Sequence, residues 1–329
     1  MKDINIKMNL RLFDGNTNLT TSEGLSDEMK TYYSDYLIDM AEPYLAHDQF
    51  GQKHPIPEGK GKTIQFRKYS PLPKLTTPLE EGKTPDGQTL TMSIVEATVK
   101  QYGGYIELSD VLLLTAIDNN LVQATTLLGG QAGRTLDTVT REIINAGTNV
   151  QYAEGQVKAR SSLVGGAAEG NHYLTVNAIR MAVRTLKRMN APKINGDYVA
   201  IIHPDCTYDL MSDPNWKYPH QYVDTKEMYE GEIGKIEGVR FVESSEAKIF
   251  EGSGASSRDV YSTLVIGDNA YGVTDVKGGG LQHIVKQLGS AGTADPLNQR
   301  ATAGWKAIKT AAILVNEYMV RIETCSSYE

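Results

Sequence analysis

Residues 71–90 read PLPKLTTPLEEGKTPDGQTL, with four prolines and two glycines. This polar stretch lies between two runs that alternate with a period of two. In KTIQFRKYS (62–70), Ile64 and Phe66 face opposite to Gln65 and Arg67; in TLTMSIVEATV (89–99), Leu90, Met92 and Ile94 take one face and Thr89, Thr91 and Ser93 the other. Two such runs around a Pro/Gly loop predict a long β-hairpin. A structureless loop of about 20 residues is uncommon inside a compact domain, and an isolated two-stranded hairpin is marginal in water. The hairpin must therefore pack on its own domain or on another subunit.

The remaining segments point the same way. Residues 1–25 have no period and read as an extended arm. In LSDEMKTYYSDYLIDMAEP, with Ser26 as N-cap, Met29, Tyr32, Tyr33, Tyr36, Leu37 and Met40 form one helical apolar stripe that Pro43 ends. This helix needs a surface to lie against, in the body or in a neighbour. The chain has 18 Tyr against 5 Phe, and tyrosine suits surfaces that end up between subunits. His47, Asp48 and His54, next to Pro55 and Pro57, read as surface residues.

A long helix is predicted over 109–147, with Ser109 capping a first piece. Gly129, Gly130 and Gly133 inside it cost about 1 kcal/mol each relative to Ala, and they predict a close backbone approach or a bend. Thr175 caps a further helix whose buried face is Ile179, Val183, Leu186 and Met189; Arg180, Arg184, Lys187 and Arg188 form its basic face. A basic run is usually solvated or paired, and with no interleaved aromatics it is expected to meet an acidic segment such as DTKEMYEGEIGKIE (224–237), in the same chain or the next. The strand GDYVAIIHPD, a short helix near 204–212, strands at 238–244 and 261–268, LQHIVKQ (281–287) and C-terminal strands over 305–324 complete an α/β alternation.

No chemistry stands out. The chain lacks a P-loop, a G-x-S-x-G elbow and an H-E-x-x-H motif. His203, Asp205 and Cys206 have a conceivable ligand spacing, but a strand end followed by a helix that Pro204 starts is the preferred reading. Cys206 and Cys325 form no disulfide framework. A net charge of −7 argues against nucleic-acid binding as the main task, and no signal peptide or spanning segment is read. No catalytic, metal or cofactor-binding residue is assigned, and no cofactor is expected.

Long collinear stretches carry a family resemblance: NLRLFDGNTN (9–18), EMKTYYSDYLIDMAEPYLAHDQFGQKHPIP (28–57), KTIQFRKYSPLPKLTTPLEEGKTPDG (62–87), LSDVLLLTAID (108–118), QAGRTLDTVTREIINAGTNVQYA (131–153), GDYVAIIHPD (196–205) and EGEIGKIEGVRFVES (230–244). Together they resemble the major capsid proteins of tailed phages grouped around the N4-type capsid protein. The resemblance implies an α+β, HK97-like capsid fold. Its parts would be an N-terminal arm with its amphipathic helix (1–57), an E-loop hairpin (58–102), a P domain with a spine helix (103–194), an A domain (195–286) and C-terminal strands returning to the P domain (287–329). It implies a non-enzymatic protein that assembles as hexamers and pentamers into an icosahedral shell around double-stranded DNA, in the bacterial cytoplasm and then in the virion. The expected partners are other copies of the chain, a scaffolding protein, a portal, room for a decoration protein, and DNA by weak non-specific contact, with no membrane. Residues expected at contacts between subunits are Tyr32, Tyr33, Tyr36, Pro71, Pro73, Lys74, Leu79, Glu80, Glu81, Lys83, Arg180, Arg184 and Arg188. No Lys–Asn cross-link is expected, since most members of the family lack one and nothing in the sequence identifies a partner for Lys83. An encapsulin-like nanocompartment shell with the same fold is the second reading.

Overall fold

The computed structural model describes residues 37–328 apart from 39, 42–43, 56–61, 70–71, 80, 83, 85, 116–119, 154–156, 166–171, 217–232, 276–280 and 291–294. The first half runs β1 (Gln52–His54), β2 (Thr63–Tyr69), β3 (Met92–Thr98), β4 (Lys100–Ser109), α1 (Asp110–Thr115), α2 (Asn120–Ile144), β5 (Val150–Tyr152) and α3 (Val176–Arg188). The second half runs β6 (Tyr198–Ile202), α4 (Pro204–Ser212), β7 (Lys235–Ile236), β8 (Val239–Glu243), β9 (Ile249–Phe250) and β10 (Val260–Ile266). It ends with β11 (Tyr271–Thr274), β12 (Leu281–Lys286), β13 (Arg300–Lys309), β14 (Ala311–Ile313) and β15 (Met319–Thr324).

These strands form four sheets. A mixed sheet has the order β5-β15-β10-β6-β8-β7, with β9 also on β10. Its strand β6 is buried at every position, as expected for a strand covered on both faces. On one face α3 and α4 pack Ile179, Val183, Leu186, Cys206 and Leu210 against Ala200, Phe241 and Val265. On the other, Ile201, Leu264 and Met319 meet Tyr271, Val273 and the end of α2 at Ile144. The Thr175 cap forms as predicted, its hydroxyl accepting from the Ala178 amide at 3.2 Å. His203 and Pro204 also behave as a strand end and helix start, with His203 as N-cap of α4. Met189 departs from the prediction. It is the C-cap of α3, where the helix turns out of register, and it is exposed.

A second layer is built on β12-β13-β4, a three-stranded antiparallel sheet. The strand β4 was not read from sequence. Its inward residues Tyr102, Ile106 and Leu108 alternate with Gly103, Tyr105 and Glu107, and the two glycines at 103–104 hide the period. Ser109 ends β4 and caps α1 through its hydroxyl, which accepts from the Leu112 amide at 3.2 Å. Strand thus passes straight into helix, and the described parts of the predicted 109–147 helix are α1 and α2. Leu128, Ala132 and Leu136 of α2 lie on Ala303, Trp305 and Ala307 of the sheet.

The α2 glycines explain what lies on its other flank. Leu37, Ile38, Met40 and Ala41 are helical. A Cβ on Gly129 would stand 2.7 Å from Met40 Cβ, and one on Gly133 only 2.5 Å from the Ala41 carbonyl oxygen. The predicted close approach is therefore real, and its partner is the end of the N-terminal amphipathic helix, with Leu37 and Ala41 buried. The rest of the predicted helix, with Tyr32, Tyr33 and Tyr36, lies outside the described residues.

The following segment corrects the surface assignment of His47 and Asp48, which are both buried. Asp137 of α2 accepts from the His47 amide and meets His47 Nδ1, each at 2.7 Å. Thr140, one turn further on, donates to Asp48 Oδ1 at 2.6 Å. Lys309, the last residue of β13, donates to Asp48 Oδ2 and, at 3.4 Å, to the Thr274 carbonyl. The Tyr271 hydroxyl donates to the His47 carbonyl. Burial, and then the charges of Asp48 and Asp137, push the Tyr271 phenol well above its ordinary range, so it remains a donor. Four parts of the chain meet at this cluster: the 47–48 segment, α2, β11 and the end of β13. His54 is only partly covered and stacks edge-on to Phe66 at 4.7 Å.

Removing one partner of a buried ion pair leaves an uncompensated charge, at about 3–5 kcal/mol. Asp48→Ala is expected to lose that much in urea unfolding of the subunit. Gly133→Ala should lose about 1–3 kcal/mol through overpacking, whereas Gly87→Ala, where a Cβ meets nothing within 4 Å, should stay within about 0.5 kcal/mol. Equal effects at the two glycines would mean that the Ala41 turn is not held against α2.

Candidate assembly interface

The predicted hairpin forms, with Thr63 opposite Thr98 and Tyr69 opposite Met92. Its root is anchored. Ile64, Phe66 and Ala97 are buried with Ala312 and Leu314 next to β14. Phe66 fits because position 272 is glycine; a Cβ there would stand 2.4 Å from Phe66 Cε1.

The apolar stripe read from sequence lies on the opposite face. Phe66 pairs with Val95 and Ile64 with Ala97, so the chain's own core takes the Val95/Ala97 face. Leu90, Met92 and Ile94 point away, 67%, 44% and 47% exposed. On this outer face Gln65 Nε2 donates to Glu96 Oε1 at 2.9 Å, which fixes the register near the root and leaves the distal part bare.

Beyond the paired strands every described residue from 72 to 91 is exposed. Leu75 and Leu79 reach 78% and 76%. Pro73, Lys74 and Glu81 are exposed with them, and Gly82 turns the tip at φ +80°. Gln88 reaches back to the Pro73 carbonyl at 3.5 Å. Pro71, Glu80 and Lys83 lie outside the described residues. Among the described residues, nothing of the chain buries these leucines, and an exposed apolar cluster of this kind is a candidate contact surface.

The other predicted contact residues lie elsewhere. Arg180, Arg184 and Arg188 stand exposed on α3. Arg180 Nε pairs with Glu237 Oε1 at 2.9 Å, so the acidic segment named from sequence meets this stripe within the same chain. Sequence reasoning missed the outer face of β12-β13-β4. There Ile284, Gly304 and Tyr105 sit side by side in register, with Ile284 and Tyr105 exposed. The available signal was the short alternation YIEL (105–108) that follows the two glycines.

Among the described residues no sequence-named ligand candidates assemble into a site for chemistry. Among the described residues no group of three His, Cys, Asp or Glu could hold a metal. His203 Nδ1 accepts from the Asp205 amide at 3.3 Å, and burial pushes its imidazole pKa down. Burial also pushes the Cys206 thiol up, so it is an inert core residue. Two cavities beside α2 are open grooves. One, of 410 Å³, runs along α2 past Gln131, Arg134 and Thr138; another, of 320 Å³, lies between α2 and the hairpin root at Glu96, Lys100 and Tyr102.

Residues 93–320 match the family model for phage capsid proteins. Among curated proteins, none matches the chain in sequence. Solved structures with the same fold include the capsid of Ralstonia phage GP4 (14% identity, TM-score 0.62, covering 85% of this chain and 86% of that one). The capsid of cyanophage Pam1 is similar at 16% identity and TM-score 0.60, over 88% and 93% of the two chains. A virus-like particle from Pyrococcus furiosus is similar at 12% identity and TM-score 0.51, over 90% and 99%. The fold is α+β and HK97-like.

Because the distal leucines are largely exposed among the described residues, Leu72→Ser, Leu75→Ser and Leu79→Ser should each change subunit stability by no more than about 0.5 kcal/mol. Urea unfolding of the dissociated subunit is the measurement. A loss of several kcal/mol would mean that the loop folds back onto its own body.

Proposed function

The chain belongs to the phage capsid protein family, and we propose that it is the major capsid subunit, assembling as hexamers and pentamers into the icosahedral shell that encloses double-stranded phage DNA. Family membership implies a structural protein of the virion capsid; we propose no catalytic activity, and assembly in the cytoplasm of the bacterial host. The observation that carries the reading is the hairpin, held at its root by Ile64 and Phe66 and bare at Leu72, Leu75, Leu79 and Leu90. Fully burying such a side chain is worth about 1.5–3 kcal/mol, before the cost of ordering the loop. The prolines reduce that cost by limiting the free loop's conformations. Each contact is then modest, and their sum over a closed shell is large. Modest single contacts let misplaced subunits leave before closure.

In this reading residues 58–102 are the E-loop that lies over an adjacent subunit, with Pro71, Pro73, Lys74, Leu79, Glu80, Glu81 and Lys83 at the contact. Residues 1–57 are the N-terminal arm, bringing Tyr32, Tyr33 and Tyr36 to a neighbour. Residues 103–194 form the P domain on the α2 spine, 195–286 the A domain and 287–329 the returning strands. A separate scaffolding protein and a portal complete the assembly, and a decoration protein has room to bind. No covalent cross-link forms between subunits.

Deleting residues 71–88 is expected to leave a folded subunit that fails to build regular shells. Negative-stain micrographs of the deletion beside the full chain check this, and normal particles from the deletion would refute the clasp.

A further inference from the structure

Between Gly170 and Gly196 the chain carries five Lys or Arg and no Asp or Glu, although the whole chain is −7. Four of the five lie on α3. At 3.6 residues per turn, Arg180, Arg184, Lys187 and Arg188 fall within an arc of about 100°. The buried face of Ile179, Ala182, Val183 and Leu186 is fixed to the mixed sheet, so the basic arc faces outward. Lys187 and Arg188 also suit the negative end of the helix dipole, but Arg180 and Arg184 have no such explanation. Arg180 pairs with Glu237. Among the described residues no acid pairs with Arg184, Lys187 or Arg188.

We propose that this stripe binds the phosphate backbone of duplex DNA and turns α3 toward the packaged genome. The proposal rests on the reading of the chain as a shell subunit around DNA. The stripe runs about 12 Å along the helix axis at 1.5 Å per residue, which matches about three or four successive nucleotides of one strand at 3.4 Å each. Three of its four bases are arginines, whose planar forks suit phosphate oxygens. No aromatic side chain interrupts it, so it offers no stacking platform for single strands. It is a face for phosphates, which position a duplex but read no sequence. An acidic protein segment is the rival occupant; among the described residues its one ion pair with the stripe is Glu237 at Arg180, and residues 224–232 of the segment lie outside the described residues. The acidic remainder repels DNA, so contact is confined to the stripe and stays weak.

The test is anisotropy of a short labelled duplex with the dissociated full-length subunit, over a salt series from about 50 to 200 mM. Each phosphate contact contributes about 0.9 to the slope of log affinity against log salt. The combined variant Arg184→Gln, Lys187→Gln and Arg188→Gln should therefore lower the slope by about 2.7. Arg184→Lys with Arg188→Lys keeps the charge and should keep the slope; its loss there would point to damage, not to charge, and would overturn the proposal. An unchanged slope in the glutamine variant overturns it too. If that variant binds DNA normally but self-associates less in sedimentation, the stripe meets an acidic segment of a second copy. Micrographs of the wild-type chain separate the two readings, since failure to form any shell removes the capsid reading whatever the duplex data show.

Discussion

The buried charge cluster around Asp48 and Lys309 holds this architecture together. Two acids, a histidine and a lysine would be costly to bury singly, and here each meets a partner. The partners come from the segment after the N-terminal helix, from α2, from β11 and from the end of β13. An apolar core tolerates small slips between layers, whereas this cluster does not, because a shifted charge loses its partner outright. It therefore sets the angle between the long helix, the small sheets and the incoming N-terminal chain. Everything that reaches outward from the subunit departs from this fixed point.

From that frame the molecule divides into parts that are satisfied within the chain and parts that are not. The mixed sheet is covered on both faces by α3 and α4 and by β11 and its neighbours. Among the described residues the hairpin is covered only at its root. Its strands obey the same alternation from end to end, but the side that the body covers near Phe66 is not the side that carries Leu90, Met92 and Ile94. A single strand pair thus serves two surfaces, one inside the subunit and one outside it. This is the arrangement expected of a part whose folding is completed by assembly.

Much of this was legible in the sequence, because it depended on near neighbours. The Thr175 cap, the Pro204 helix start and the β2–β3 alternation are all set within a few residues. The α2 glycines announced a close approach, although not which backbone made it. What escaped had partners far away. His47 and Asp48 look like surface residues beside Pro55 and Pro57, and their partners lie 90 and 261 positions along the chain. Strand β4 escaped because Gly103 and Gly104 interrupt its pattern; they are needed where Trp305 and Gln131 crowd the sheet. The exposed face of the hairpin was visible as a stripe, but which stripe the body would take depended on Ala312 and Leu314, far beyond the loop.

The short join between β13 and β14 has a mechanical consequence. Only Thr310 separates them, and its amide and carbonyl are both tied to the Thr274 side chain. One strand therefore leaves the sheet beneath α2, passes the buried Lys309, and arrives at the root of the hairpin next to Ala312. A pull on the hairpin root at Ala312 would pass through this join into β13, which is bonded on both sides, to β4 and β12, beneath α2. In a wall stretched by its contents, tension would run from each subunit to the next along this line, and the loop that looked loosest would be the end of a taut cable.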